Sequence, residues 1–512
     1  MMRTPRRVGR GGSARTPSNP ERVVIRTLPS GVPGLDDILG GGFPEFSFNI
    51  IAGSPGCGKT TMAHQFVFAN ATPERPALYF TVLGESPIKM LRYQQQYSFF
   101  DAAKINGAIR FINLSQTVLD KDLSAVLDEI VNYVEAAKPA IVVVDSFRTA
   151  IRRQTAATEM DVQFFVQQLA MHLTAWEATT FLIGEYVEAE IRENPVFTIS
   201  DGLFWLSQVA ERNSVVRKLQ VFKLRGQASV PGLHTFRITE DGVQTFSRTL
   251  GLMERKGRPA KRPRLSTGID GLDEMMGGGI PLGDSLLLAG ASGTGKSAFG
   301  THFIAEGLRH GEAGIMAVFE ERPEDVVRRA KNLGQDLAAA ERDGRLKILY
   351  LRPLDLSVDE SLQAILDAVK EVDAKRLVID SLVGFEMALA PGFREDFRES
   401  LYRMMASLTG TGVTVLSTVE LDESFTEFRF SHYMVSFLAD DIIRLRYLDL
   451  DGVLHRIFTV VKMRDSDHSK DIREYEITDK GVVLNSRRLN EYRALITGIP
   501  SYWRPAGRTE EP

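Results

Sequence analysis

The feature that most constrains the fold is a repeat at a constant offset. Gly31-Val32-Pro33-Gly34-Leu35-Asp36-Asp37 returns 237 residues later, without a gap, as Gly268-Ile269-Asp270-Gly271-Leu272-Asp273-Glu274. Gly40-Gly41-Gly42 returns at the same offset as Gly277-Gly278-Gly279. So does Gly53-Ser54-Pro55-Gly56-Cys57-Gly58-Lys59-Thr60, as Gly290-Ala291-Ser292-Gly293-Thr294-Gly295-Lys296-Ser297. A chain built this way is a tandem duplication and folds as two like domains. Its 512 residues give each copy enough length for a core of its own.

The last pair matches the phosphate-binding loop G-x-x-x-x-G-K-[ST]. Its glycines let backbone N–H groups turn inward around anionic oxygens. Lys59 and Lys296 can reach the outer phosphates, and the hydroxyls of Thr60 and Ser297 can hold Mg²⁺. Each loop follows an apolar run, residues 48–52 and 286–289. Each also opens a helix, whose first turn, with Thr61 and Ala298, faces the phosphates. Two matches in the strand–loop–helix context imply nucleotide binding rather than glycine turns with stray lysines.

Further apolar runs predict strands at residues 77–82, 140–146 and 180–186, then at 315–319, 376–381 and 413–420. Strands alternating with helices imply an α/β fold of two tandem P-loop NTPase domains. Each would be a mostly parallel sheet flanked by helices. Asp145 and Asp380 end strands of Walker B type, where a carboxylate can hold the Mg²⁺ shell. The expected organisation is a disordered basic tail over 1–23, a first ATPase-type domain over 24–248 and a basic linker over 249–264. A second ATPase-type domain covers 265–485 and a C-terminal tail 486–512. A net charge of −4 argues against nucleic-acid partners, and no run is apolar and long enough to span a membrane. The single cysteine, Cys57, excludes an internal disulfide and suits a reducing cytoplasm.

Glu320 and Glu321 directly follow the strand at 315–319. One can serve as general base toward water or a hydroxyl, and Glu320 can also join the metal shell. The plain alternative is that acids suit the start of a helix. Aligning Pro87 on Pro323 places Gly84 opposite Glu320 and Glu85 opposite Glu321. The first site thus keeps one acid, Glu85, and is expected to hydrolyse slowly. Lys223/Arg225 and Lys462/Arg464 repeat a Lys-x-Arg pattern, which on a strand sends both charges to one face. That face is either solvated or supplies charge to a neighbouring subunit's γ-phosphate.

Taken together, these residues resemble the KaiC family of double-domain RecA-superfamily ATPases and autokinases. The resemblance runs from about residue 24 to 500. It adds Lys223-Leu224-Arg225-Gly226, Lys462-Met463-Arg464, Ile472-Arg473-Glu474-Tyr475 and Thr478-Asp479-Lys480-Gly481 to the motifs above. It implies a homohexamer of two stacked rings with ATP and Mg²⁺ at subunit interfaces. It also implies slow ATP hydrolysis in the first ring, Ser/Thr autophosphorylation in the second, a KaiB-like partner, and a role in signalling or clock-type timing. The family's phosphoacceptors are two adjacent hydroxyl residues shortly before a strand. Here Ser436 matches the first, Phe437 replaces the second, and Ser431 is the other nearby hydroxyl. Ile496-Thr497-Gly498-Ile499-Pro500 resembles the family's buried tail loop, and the little chain beyond it speaks against a KaiA-type partner. An ATP-gated scaffold without phosphotransfer is the alternative reading; a RecA-type DNA motor is disfavoured by the net charge.

The missing acid makes one prediction. In an isolated segment covering residues 24–248, Glu85→Gln should lower ATP turnover by a factor of about 10², the usual contribution of a general base. Unchanged turnover in an ATPase assay would remove Glu85 from the chemistry.

Overall fold

The computed structural model describes residues 24–82, 87–120, 123–146, 159–191, 194, 196–211, 214–248, 262–351, 357–388, 397–421, 439–450, 452–464, 466–489, 492–493 and 501–502. In the first repeat the strands are β1 (Phe48–Gly53), β2 (Ala77–Thr81), β3 (Ile109–Asn113), β4 (Ile141–Asp145), β5 (Thr179–Glu185), β6 (Gly202–Glu211), β7 (Ser214–Leu224), β8 (Leu233–Thr239) and β9 (Gly242–Phe246). They form one sheet in the order β3-β2-β4-β5-β1-β6-β7-β8-β9. The first six strands run parallel, and β6 through β9 continue as an antiparallel meander.

The second repeat copies this plan. Its strands are β10 (Ser285–Gly290), β11 (Gly314–Val318), β12 (Leu346–Tyr350), β13 (Arg376–Asp380), β14 (Thr414–Glu420), β15 (Asp441–Leu450), β16 (Val453–Lys462), β17 (Arg473–Thr478) and β18 (Gly481–Arg488). Their order is β12-β11-β13-β14-β10-β15-β16-β17-β18, the first sheet again. The expected pair of mostly parallel sheets is therefore what forms.

Strands buried on both faces read as unbroken apolar runs, which is why β1, β2, β10 and β11 were legible. All six residues of β1 are buried, and all six of β10. Alternate residues feed two cores per sheet. In the first repeat Ile51, Tyr79, Val143 and Phe181 join Met62, Phe66 and Val67 of α1 (Lys59–Asn70). Ile50, Leu78, Val142 and Leu182 join Val126 and Ile130 of α2 (Leu123–Ala137) and Val166 and Leu169 of α3 (Glu159–Ala175). Each such buried side chain contributes roughly 1.5–3 kcal/mol by leaving water. The second repeat flanks its sheet with α4 (Lys296–Arg309), α5 (Pro323–Asn332), α6 (Val358–Val372) and α7 (Phe397–Gly410).

Strand β8 touches both repeats. Phe236 and Ile238 face the first loop, and a methyl group placed on Gly58 would lie 2.6 Å from Ile238 Cδ1. Thr235 and Arg237, on the other face, reach α6: Thr235 Oγ1 donates to Asp359 Oδ2 at 3.3 Å and Arg237 Nε to Glu360 Oε2 at 2.7 Å. Glu360 also completes the capping box with Ser357 that starts α6. Arg403 on α7 bonds Asp359 Oδ1 at 3.3 Å and donates to the carbonyl of Arg248.

Arg403 and Asp359 are 8% and 9% exposed, so this pair is effectively desolvated. Arg403→Ala leaves a buried carboxylate without its cation and should cost about 3 kcal/mol. Urea unfolding of the second repeat reads this as a lowered midpoint. A combined Arg403→Met and Asp359→Leu change should recover most of it, since it strands no charge.

Candidate nucleotide-binding site

Each loop leaves the carboxyl end of the central strand of its sheet, β1 or β10, and runs into a helix. The helices begin at Lys59 and Lys296, with Gly58 (φ 100°) and Gly295 (φ 92°) as their N-caps. That backbone is left-handed, and a side chain there would also strike Ile238 or Ile477. Glycine is needed at both positions for these two reasons.

In the first loop Lys59 is 6% exposed and its ammonium is held within the loop. Nζ donates to the carbonyls of Gly53 at 3.0 Å and Ser54 at 2.7 Å and lies 3.7 Å from Cys57 Sγ. Burial pushes the Cys57 thiol up from its ordinary range, which makes it a packed small residue rather than a ready thiolate. Thr60 Oγ1 donates to Asp145 Oδ2 at 2.8 Å. The Tyr79 hydroxyl donates to the same oxygen at 2.8 Å. Burial raises the Asp145 carboxyl, and the bonds from Thr60 and Tyr79 oppose that rise.

In the second loop Lys296 Nζ donates to the carbonyls of Gly290 at 2.9 Å and Ala291 at 2.8 Å. Burial lowers this ammonium, and the carboxylates of Glu420, Asp380 and Glu320 pull it back. The charges of Asp380 and Glu320, two of the acids singled out in the sequence, thus act on Lys296. Asp380 Oδ1 accepts from Thr418 Oγ1 at 2.6 Å. Glu321 is turned elsewhere: Arg329 of α5 binds it through Nε at 3.0 Å and Nη2 at 2.9 Å. Glu320 is exposed at the strand end. The paired acids are therefore not equivalent, because only Glu321 has an arginine on the next helix.

The Lys-x-Arg pairs do not join their own loops. Leu224 pairs with Gly202, which pairs with Asn49 at the start of β1, four residues before Gly53. That separation is roughly 13 Å of strand. Lys223 Nζ donates to the carbonyls of Thr198 (3.0 Å) and Ser200, and Arg225 pairs with Asp201 at 3.2 Å. Lys462 Nζ donates to the Ala439 carbonyl at 2.7 Å, and Arg464 pairs with Asp440 at 2.8 Å. The arginines lie just beyond the strand ends, since β7 stops at Leu224 and β16 at Lys462. The strand-face picture therefore holds for the lysines alone. Gly84, Glu85, Ser431, Ser436 and Phe437 lie outside the described residues.

Several contributors escaped the sequence reading. Tyr79, Thr418, Glu185 and Glu420 gather at the same edges, Glu185 beside Gly53 and Glu420 beside Gly290 in register. Tyr79 carried a signal: a phenol inside a fully buried strand needs a partner. A second pair is Gln65 and His302. Gln65 accepts from Val243 N–H at 2.6 Å and donates to the Gly31 carbonyl at 3.4 Å. His302 accepts from Val482 N–H through Nε2 at 2.9 Å and meets the Gly268 carbonyl through Nδ1 at 3.1 Å. Each ties the helix after the loop to the terminal hairpin of its sheet. Tyr475, on β17 of that second hairpin, donates to the Thr294 carbonyl at 2.5 Å, so the hairpin also supports the loop.

The family model described as ATPase: KaiC matches residues 28–249 and 265–488. The chain is 31% identical to the circadian clock oscillator protein KaiC of Rippkaea orientalis, over 93% of this chain and 92% of that protein. It is 31% identical to circadian clock oscillator protein KaiC 1 of a Synechocystis species, over 95% and 93%. It is 29% identical to the KaiC of Synechococcus elongatus, over 94% and 93%.

His302 gives a pH prediction. Its Nε2 must stay unprotonated to accept from Val482, and burial holds the ring below its ordinary value near 6.5. The unfolded chain then binds the proton more readily, so stability falls as pH drops from 6.5 toward the folded value. His302→Gln, which installs the residue found at Gln65, keeps both bonds and does not titrate. Urea midpoints measured between pH 7 and pH 5, both roughly bracketing a histidine, should fall less steeply in this variant.

Proposed function

We propose that this chain, which belongs to the KaiC family of ATPases, binds ATP with Mg²⁺ at both loops and hydrolyses it unequally at the two. The observation that carries this reading is the meeting of Thr60 Oγ1 and Asp145 Oδ2 at 2.8 Å beside the buried Lys59. A hydroxyl and a carboxylate so placed fit one hydrated Mg²⁺. When bound with nucleotide, the ion would offset the charge of the phosphates. Thr60 with Asp145 would hold it in the first repeat, and Ser297 with Asp380 and Glu320 in the second. Lys59 and Lys296 would exchange their carbonyl partners for phosphate oxygens, and the loops' backbone N–H groups would cradle those oxygens.

In the second site Glu320 is the better general base, because Glu321 is already engaged by Arg329. The first site would depend on Glu85. Lys223, Arg225, Lys462 and Arg464 lie away from their own loops, so their proposed service is to a neighbouring subunit of a homohexamer. We extend the reading to Ser/Thr autophosphorylation in the second repeat, with Ser436 and then Ser431 as acceptors. The setting would be a cytoplasmic signalling or timing protein with a KaiB-like partner. Phe437, in place of a second acceptor, favours one alternative: a scaffold that switches partners by nucleotide state without phosphotransfer.

Native mass spectrometry after incubation with Mg-ATP separates these readings. The expected result is a six-subunit particle with bound nucleotide and added phosphate that is lost in Ser436→Ala. A particle that holds nucleotide but never gains phosphate supports the scaffold. A chain that stays monomeric with ATP removes the hexamer, and with it the role given to the Lys-x-Arg pairs.

A further inference from the structure

We propose that Tyr79 positions the Walker B acid of the first site, so that metal loading there depends on a residue the second site lacks. The proposal rests on reading the first loop as a Mg-nucleotide site. Tyr79 is fully buried, and its hydroxyl donates to Asp145 Oδ2 at 2.8 Å. The same oxygen accepts from Thr60 Oγ1. If Thr60 turns its hydroxyl to a metal, Asp145 loses that donor, and the bond from Tyr79 is the one that keeps the carboxylate aimed at the loop. Groups that hold a metal's ligand in this way tune the site without touching the ion.

The ring cannot readily swing off this task. His64 packs against it at a tilt of 53° with centroids 4.5 Å apart, and Phe111 lies at 5.3 Å. His64 is itself fully buried, and burial takes it down to about 4, so it packs as a neutral ring. This wall, with β2 on one side of β4, fixes the phenol along the line to Asp145.

The second repeat solves the same problem from the other side. Thr81 pairs with Asp145 and Val318 with Asp380, which makes Met316 the counterpart of Tyr79. A thioether cannot donate a hydrogen bond. Asp380 instead accepts from Thr418 Oγ1 at 2.6 Å, from β14, where the first repeat has Ile183. The supporting donor has moved from one neighbouring strand to the other. Each acid is therefore held by a different side chain, and the two sites can be tuned separately.

Tyr79→Phe removes the hydroxyl and keeps the ring, so packing is preserved. The test uses the full chain carrying Lys296→Ala, which silences the second loop. ATP binding is measured by calorimetry in EDTA and across a Mg²⁺ titration, with thermal melts alongside. The expected result is a Mg²⁺ midpoint raised roughly tenfold in Tyr79→Phe, with affinity in EDTA unchanged and the chain still folded by its melting transition. In a Lys59→Ala chain, Thr418→Val should produce the same signature at the second loop. An unchanged Mg²⁺ midpoint in Tyr79→Phe overturns the proposal and leaves the nucleotide site standing. Equal loss with and without Mg²⁺ also overturns it and makes Tyr79 a packing residue. Failure of the Lys296→Ala parent to bind ATP at all overturns the nucleotide-site reading itself.

Discussion

In a parallel sheet every strand runs the same way, so all carboxyl ends meet at one edge. Register then decides which residue faces which. It sets Gly53 beside Glu185 and Thr81 beside Asp145, and in the second repeat Gly290 beside Glu420 and Val318 beside Asp380. The register cannot slip, because these strands are buried on both faces and a shift of one residue would exchange their two cores. Loop, lysine and acid are neighbours for that reason, although 85 residues separate Thr60 from Asp145.

The duplication sets a common frame, and substitutions within it make the sites different. Asp145 is held by Tyr79 and Thr60, Asp380 by Thr418. Gln65 and His302 make the same two links with different chemistry, one indifferent to pH and one not. The acids after β11 divide in the same manner, since Arg329 claims Glu321. None of these changes disturbs the strand order, which is the same in both repeats.

Strand β8 links the first loop to the second repeat. One of its faces packs on Gly58 and the other bonds the start of α6, so it lies between the first loop and the second repeat. Alternation of side chains along a strand makes this double contact unavoidable once both partners are in place. Arg403, Asp359 and Arg248 close the same junction with charges that have little water left to fall back on.

Much of the architecture was legible because parallel strands are apolar throughout and P-loop residues are chemically irreplaceable. The offset of 237 residues determined the two-domain plan, and the loop motifs with Asp145 and Asp380 determined where a phosphate-binding edge would form. Glu320 could be placed from its position at a strand end. Its inequality with Glu321 could not, because Arg329 comes within reach only once α5 has wound about two turns past them. The Lys-x-Arg pairs were legible as a repeat, but antiparallel pairing decided that they stand at the far end of the sheet. Tyr79 and Thr418 became partners of the acids only through lateral strand contacts. Local spacing determines elements and loops; which side chains meet across strands is decided by register, and register is a property of the folded sheet.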